Sequence, residues 1–162
     1  RQILRVLSDF NNPVGIVTKN HLITRDIDIL ADMARRNLAE VFLSVTTLDR
    51  DLARTMEPRA SAPHRRLAAI RELSDAGIPT GVMSAPMIPG LNDHEMEAIL
   101  EAATKAGATR AGYTVLRLPL EIKDLFEEWL RANRPDRAER VLSLVRQMRG
   151  GELYKAKFGE RM

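Results

Sequence analysis

Four short apolar segments recur along the chain, each separated from the next by an amphipathic stretch. The segments are rich in Val, Ile and Thr, which favour β-strands. They are residues 13–19, 39–47, 78–87 and 108–118. Short strands with few polar positions, alternating with helices, are typical of a parallel sheet that is covered on both faces. The sequence therefore predicts an α/β fold of repeated βα units with parallel strands, arranged either as an open sheet or as a barrel.

The stretches between the strands have apolar residues every three or four positions, the spacing of an amphipathic helix. They are residues 25–37, 63–77 and 93–107. Thr24 is predicted to cap the start of the first helix, and Gly77 and Gly107 follow the second and third at the position that favours glycine. A further short helix is predicted at 49–56, because the segment between its flanking elements is longer than an ordinary βα loop.

Composition excludes several classes of site. The chain has 162 residues and no cysteine, so it offers no disulfide, no thiolate metal site and no cysteine nucleophile. It has no apolar run of the roughly 20 residues that a membrane span needs and no signal-peptide pattern. We therefore expect a cytoplasmic protein without a membrane partner. Because the chain starts at Arg1 rather than Met, we also expect it to be a piece of a longer protein.

The formal net charge of +3 is concentrated at the C-terminal end. Residues 131–162 hold nine Lys and Arg against four Asp and Glu. A solvated helix face followed by a flexible end explains such a tail. A phosphate-contacting surface, as in a nucleic-acid-binding module, explains it as well. Nucleic acid is therefore a candidate partner.

Polar side chains stand where the predicted strands end, the edge at which α/β proteins gather their function. Lys19 ends the first strand, where it could hold a carboxylate or phosphate, or act as the Schiff-base lysine of a barrel aldolase. Ser44 offers a hydroxyl suited to a ribose or a carboxylate. Arg59 follows Pro58 and can point back at the strand ends as an anion clamp, although an ion pair between Glu57 and Arg59 explains it equally.

The three histidines form no site in the sequence. His21, His64 and His94 lie just after a strand or at helix starts, with no carboxylate or second histidine at metal-ligand spacing. Common nucleotide-binding and hydrolase motifs are also missing from the sequence. We therefore assign no catalytic and no metal-ligating residue in this chain.

Five runs of sequence resemble a known family. They are GIVTKN, VFLSVTTLD, MEPRASAPHRRLAAIRELSDAGIP, GVMSAPMIPGLND and YTVLRLPLEIKDLFEEWL. In this order, over nearly the whole chain, they resemble the radical S-adenosylmethionine (radical SAM) enzymes, in the branch related to spore photoproduct lyase. The resemblance implies a partial (β/α)6 TIM-like barrel. Residues 1–130 would supply its strands three to six, and residues 131–162 would form a C-terminal helix and basic tail.

The resemblance also implies a chemistry. In that family, three cysteines spaced C-x3-C-x2-C bind a 4Fe-4S cluster, which cleaves S-adenosylmethionine to a 5′-deoxyadenosyl radical that abstracts hydrogen from the substrate. Because this chain has no cysteine, the cluster ligands would lie outside it and the chain alone would be inactive. An electron donor and a substrate, both unidentified, are implied as partners. The DNA-repair activity of the lyase does not carry over, since its hydrogen-donating cysteine belongs to the half that this chain lacks.

S-adenosylmethionine binding is what the resemblance assigns to this half. Lys19 matches a lysine that holds the polar end of the cofactor, and Ser44 matches a cofactor-binding serine. Ala85 falls where the backbone meets the adenine. Arg59 and Arg117 are further candidates for contact with the cofactor carboxylate or the substrate.

Overall fold

The computed structural model describes residues 1–154, and a four-stranded sheet forms its centre. The strands are β1 (Val14–Thr18), β2 (Ala39–Ser44), β3 (Thr80–Met87) and β4 (Arg110–Val115). They lie side by side in the order β1-β2-β3-β4. Sequence order and spatial order are therefore the same, as expected when each strand is joined to the next by a crossover on the same side.

The strands run parallel. In the first pair Ile16 lies opposite Val41, and in the second pair Leu43 lies opposite Val82. Each predicted strand is present, although each is shorter than the apolar run that predicted it, at one end or at both. The predicted α/β class with repeated βα units and a parallel sheet is confirmed, and the arrangement is consistent with part of a TIM-like barrel.

Seven α-helices accompany the strands within residues 1–154. They are α1 (Gln2–Asp9), α2 (Ile27–Arg35), α3 (Arg50–Met56), α4 (Pro63–Asp75), α5 (Met96–Lys105), α6 (Ile122–Asn133) and α7 (Ala138–Gln147). Two short 3-10 turns, His21–Asp26 and Asp93–Glu95, precede α2 and α5. None of these described helices has the length and apolarity needed to cross a membrane.

Helix ends were predicted with mixed success. The prediction that Thr24 caps the first helix is wrong, because a 3-10 turn begins earlier, where the Asn20 side chain accepts a hydrogen bond from the Leu22 amide at 2.9 Å. α2 then follows Asp26. Gly77 follows α4 with a φ of +75°, as predicted for a residue that ends a helix in the left-handed region.

The chain divides into two compact units. The first comprises residues 1–85 and 95–113, and the second comprises residues 86–94 and those from 114 onward. In the first unit α2 and α4 pack on β2. The residues of this unit that are 0% exposed include Leu30, Met33, Val41, Leu43, Ile70, Leu73 and Ile99.

The second unit is built around the loop after β3 and the last two helices. The Leu116 amide donates to the Met87 carbonyl at 2.9 Å, and α6 packs against α7. Gly90 has a φ of +76° and lies so close to α7 that a β-carbon there would stand 2.9 Å from Leu144. The predicted boundary between residues 130 and 131 stays a prediction.

Replacing a core isoleucine should destabilise the fold far more than replacing an exposed one. Ile70 is fully buried, whereas Ile3 is 76% exposed. We expect Ile70→Ala to lower the free energy of unfolding by roughly 2–5 kcal/mol, because it removes buried methyl groups and leaves a cavity. Ile3→Ala is the matched control and should change it by less than about 0.5 kcal/mol. Equal losses for the two variants in urea unfolding would contradict the assigned core.

Candidate functional site

A carboxylate, Glu57, collects the polar side chains at the C-terminal ends of β1 and β2. Its Oε1 accepts from Lys19 Nζ, and also from Thr46 Oγ1 at 2.8 Å. Its Oε2 accepts from Arg66 Nη2 at 2.6 Å. Glu57 ends α3, Lys19 follows β1, Thr46 follows β2, and Arg66 lies in the first turn of α4. These four residues form the Glu57 cluster, and they come from four segments of the first unit.

Arg66 is the buried partner in this cluster, with only 1% of its side chain exposed. Its Nη1 donates to the Ser44 carbonyl at 2.9 Å, and its Nε donates to the Ser61 carbonyl at 2.6 Å. A guanidinium in this position is tolerated only if its charge is paired and its donors are satisfied. Glu57 supplies the opposite charge, and the two carbonyls accept from two more of the five N–H donors. Arg66 therefore fixes the loop before α4 against the end of β2.

The same loop is also tied to β1. The Ser61 amide donates to the Lys19 carbonyl at 3.1 Å. The Ser61 hydroxyl accepts from the His21 amide at 2.9 Å. The backbone at Lys19 and His21 is therefore held by the loop that follows Glu57. This restricts where the Lys19 side chain can reach.

Two hydroxyls converge on the backbone of β3. Ser44 Oγ donates to the Ala85 carbonyl at 3.1 Å, and Thr46 Oγ1 is 3.0 Å from the same oxygen. Both residues are buried, at 4% and 0% exposure, whereas Ala85 is half-buried. Each hydroxyl has one proton to donate, and the Thr46 hydroxyl is also within 2.8 Å of Glu57 Oε1. Ser44 therefore fixes the backbone at Ala85, and Thr46 lies between that backbone and Glu57.

The cluster carries a net positive charge. Lys19 and Arg66 contribute two cations, and Glu57 contributes one anion. Burial raises the pKa of Glu57, but the hydrogen bonds from Lys19 and Arg66 outweigh burial and hold that pKa below its ordinary value. Glu57 is therefore ionised at neutral pH. Since 38% of the Lys19 side chain is exposed, the surplus positive charge is accessible from solvent.

The sequence-predicted residues are only partly brought together. Ser44 and Ala85 are in direct contact, and Lys19 joins them through Glu57 and Thr46. Arg59 is also in the first unit, but it is exposed and makes no hydrogen bond or ion pair with residues 1–154. The alternative ion pair between Glu57 and Arg59 is wrong. Glu57 bonds to the buried Arg66 and to Lys19 instead. Arg117 belongs to the second unit.

A second carboxylate holds the loop that leaves β2. Glu95 accepts from Thr47 Oγ1 and from the Leu48 amide, both at 2.6 Å. The Asp49 amide in turn donates to Thr47 Oγ1 at 3.0 Å, next to the start of α3. Glu95 precedes α5 directly. The segment that leads from β2 to Glu57 is therefore fixed at both of its ends.

Sequence reasoning missed the central roles of Glu57, Thr46 and Arg66. Arg66 had a detectable signal, because it falls on the same helical stripe as Pro63, Ile70 and Leu73, all of which are buried. An arginine in an apolar stripe implies a buried carboxylate partner, and Glu57 lies nine residues before it.

The donor atoms at this site suit an organic ligand rather than an iron-sulfur cluster. The chain has no thiolate to offer a cluster, and the described residues bring no three His, Asp or Glu side chains together as metal ligands. An exposed ammonium beside a fixed backbone edge instead suits the carboxylate end of an amino-acid-like ligand. The described residues therefore offer a cation to an anionic group of an organic ligand and no thiolate to a cluster.

Glu57→Gln should remove a pH-dependent part of the stability. Because the folded-state pKa of Glu57 lies below its ordinary value of about 4.3, its ionised form stabilises the fold above that value. This contribution is lost as the pH falls through the folded-state pKa. At pH 7 we expect the variant to unfold with roughly 1.5–3 kcal/mol less free energy, the loss typical of hydrogen bonds to a charged group.

Below about pH 4 the difference between wild type and Glu57→Gln should shrink. The measurement is urea unfolding from pH 7 to pH 3. Glu128→Gln, at an exposed position, is the control and should change stability by less than about 0.5 kcal/mol at any pH in this range. A Glu57→Gln deficit that stays constant as the pH falls would contradict the assigned ionisation.

Comparison with known proteins identifies the family. The family model described as the Radical SAM superfamily matches residues 1–103. An uncharacterized protein of Mycobacterium tuberculosis is 32% identical over 149 residues, which cover 90% of this chain and 43% of that protein. An uncharacterized protein of Acidianus two-tailed virus is 35% identical over 74 residues, 46% of this chain and 24% of its own length.

A third relative comes from an archaeon. An uncharacterized protein of Methanocaldococcus jannaschii is 30% identical over 95 residues, 59% of this chain and 35% of that protein. The chain thus spans less than half the length of the curated relatives described here. The match to the family model nevertheless covers more than half of the chain and includes every residue of the Glu57 cluster. The chain therefore belongs to the radical SAM superfamily.

Proposed function

We propose that this chain is the S-adenosylmethionine-binding part of a longer radical SAM enzyme, in the branch related to spore photoproduct lyase, with an unidentified substrate. The observation that supports this most is the convergence of Lys19, Ser44 and Ala85 through the Glu57 cluster. The resemblance assigns these three residues to the cofactor, and they come from three different strands. The chain alone would be inactive, because its lack of cysteine leaves the cluster ligands to another part of the protein.

Lys19 would hold the carboxylate of S-adenosylmethionine. Its ammonium group has three N–H donors, of which one is directed at Glu57, so two are available for a ligand. The net charge of the Lys19, Arg66 and Glu57 cluster is +1, and one bound carboxylate would balance it. Glu57 acts in this proposal as a positioning residue, because it restricts a flexible four-carbon side chain that would otherwise lose entropy on binding.

Ser44 and Thr46 would act by holding the β3 backbone rather than by touching the cofactor. The Ser44 hydroxyl donates to the Ala85 carbonyl, and the Thr46 hydroxyl lies between that carbonyl and Glu57. Ala85, which is half-buried, would then offer its surface to the adenine ring. Arg59 lies two residues after Glu57 and stays a candidate for contact with substrate or cofactor, as does Arg117. When bound, the 4Fe-4S cluster and S-adenosylmethionine together supply one-electron radical chemistry.

The two alternative functions gain no support. An aldolase lysine is activated by desolvation or by a neighbouring cation, whereas Lys19 donates to a carboxylate. In the basic region, Arg131 pairs with Glu127 and Glu139, and Arg137 pairs with Asp136. The rest of the predicted basic tail, from residue 155, lies outside the described residues. Nucleic acid as a partner, and a cytoplasmic location, remain proposals.

The proposal is tested by turnover in the complete protein. After anaerobic cluster reconstitution and reduction, we expect S-adenosylmethionine to be cleaved to 5′-deoxyadenosine, measured by chromatography. Lys19→Met should raise the S-adenosylmethionine concentration for half-maximal cleavage by at least about tenfold, equivalent to about 1.4 kcal/mol of lost binding. Lys123→Met removes an exposed lysine of α6 and should behave as wild type.

Two results would contradict the proposal. If reconstituted wild-type protein binds a cluster yet produces no 5′-deoxyadenosine with any reductant, the assigned activity is wrong. If Lys19→Met and Lys123→Met have the same half-saturation as wild type, the activity stands but Lys19 does not hold the cofactor.

A further inference from the structure

At the C-terminal end of β4, the guanidinium of one arginine of the second unit, Arg149, lies against the backbone directly before another, Arg117. Arg117 follows the C-terminal end of β4, and Arg149 follows α7. Arg149 Nη2 donates to the carbonyl of Leu116, the residue that precedes Arg117. Its Nη1 donates to the Leu153 carbonyl at 2.5 Å. The guanidinium of Arg149 is thus fixed at the strand end from which the Arg117 side chain departs.

A double-glycine turn produces this arrangement. Gly150 and Gly151 have φ values of +68° and +104°, which glycine adopts without the steric cost of a β-carbon. The Gly151 amide closes the turn on the Arg146 carbonyl at 2.8 Å. The chain therefore reverses directly after Arg149, and the Leu153 carbonyl returns to its guanidinium.

The charge of the pair is not neutralised within residues 1–154. Both acceptors of Arg149 are neutral carbonyls, and neither arginine forms an ion pair with a described carboxylate. Burial lowers the pKa of Arg149, and the positive charge of Arg117 lowers it further. The positive charge of Arg117 thus acts on a guanidinium that is already fixed beside the Arg117 backbone. Arg131 and Arg137 of the same unit are different, because both pair with carboxylates.

Several N–H donors of the two arginines also have no acceptor within residues 1–154. A guanidinium has five N–H donors. Arg149 uses two on the carbonyls, which leaves three, and Arg117 makes no hydrogen bond within the described part of the chain. Three residues later, Leu120 has a φ of +50°, a strained conformation for a leucine and one that concentrates at ligand-binding and catalytic loops.

We propose that Arg117 and Arg149 form a binding site for the phosphate monoester group of a ligand. Two forked guanidinium groups match a tetrahedral oxyanion with several acceptor oxygens. A phosphate monoester carries about −1.5 to −2 charges at neutral pH, close to the +2 of the pair, whereas a carboxylate would balance only half of it. The bound anion would relieve the repulsion between the arginines. This inference stands on the second unit alone and goes beyond the proposed S-adenosylmethionine chemistry.

The test is a titration of the complete protein with phenyl phosphate, a simple phosphate monoester, at constant ionic strength. Binding is followed by NMR of the arginine Nε–H groups. We expect saturable shifts of the Arg117 and Arg149 signals. Arg117→Gln should weaken binding at least about tenfold, and Arg117 has no structural bond in residues 1–154 that the change would break. Arg140→Gln is the matched control, since Arg140 is exposed in the same unit, and it should weaken binding less than about twofold.

Benzoate and inorganic phosphate distinguish the ligand class. Benzoate should bind at least about tenfold more weakly than phenyl phosphate. Inorganic phosphate should displace phenyl phosphate, as followed by the same arginine signals. If Arg117→Gln and Arg140→Gln weaken the binding of phenyl phosphate equally, the loss reflects only the lower positive charge of the protein, and the proposed site is wrong. Absence of saturation with phenyl phosphate, or equal affinity for benzoate, would overturn the proposal as well. None of these measurements involves S-adenosylmethionine. The phosphate proposal can therefore fail without affecting the test of cofactor turnover, and the reverse is also true.

Discussion

The buried ion pair between Glu57 and Arg66 is the interaction on which the strand-end site depends. An unpaired guanidinium at 1% exposure would cost several kcal/mol. Arg66 is therefore retained in the core because Glu57 faces it and two backbone carbonyls accept from two more of its donors. The pair fixes the loop between α3 and α4, and this loop in turn holds the backbone at Lys19. The position of the exposed ammonium thus follows from a buried contact.

In this arrangement one positive charge stabilises the fold and a second is available to a ligand. One cation, Arg66, is consumed in holding Glu57, and the second, Lys19, is presented to solvent beside it. A ligand carboxylate would then bind a lysine whose side chain is already ordered, so less entropy is lost on binding. The hydroxyls of Ser44 and Thr46 serve the same end on the neighbouring strand, because they order the backbone at Ala85. The site is thereby organised by side chains that a ligand need not touch.

The sequence was sufficient for the fold because the fold rests on local periodicity. The strands and helices repeat apolar spacings that are visible without partners, and Gly77 marks a helix end through its own backbone preference. The cap assigned to Thr24 failed because the turn before α2 depends on Asn20.

The site was less accessible to sequence reasoning because its contacts are long-range and not periodic. The pairing of Glu57 with Arg66 rather than Arg59 depends on how α4 docks on β2, which no local pattern encodes. The bond from Arg149 to the Leu116 carbonyl is also long-range, because it joins residues 33 positions apart. Lys19 could be chosen as a candidate from its place at a strand end, but Glu57 and Arg66, which hold the segments around it, could not.

The central claim is that the Glu57 cluster prepares this strand end for S-adenosylmethionine. Its most direct test is the equilibrium dissociation constant of S-adenosylmethionine for the complete protein, in the wild type and in Glu57→Gln, at a temperature where circular dichroism finds both folded. The account predicts saturable binding by the wild type and an at least about fivefold weaker affinity for the variant, about 1 kcal/mol. Equal affinity of the two proteins for S-adenosylmethionine would contradict it.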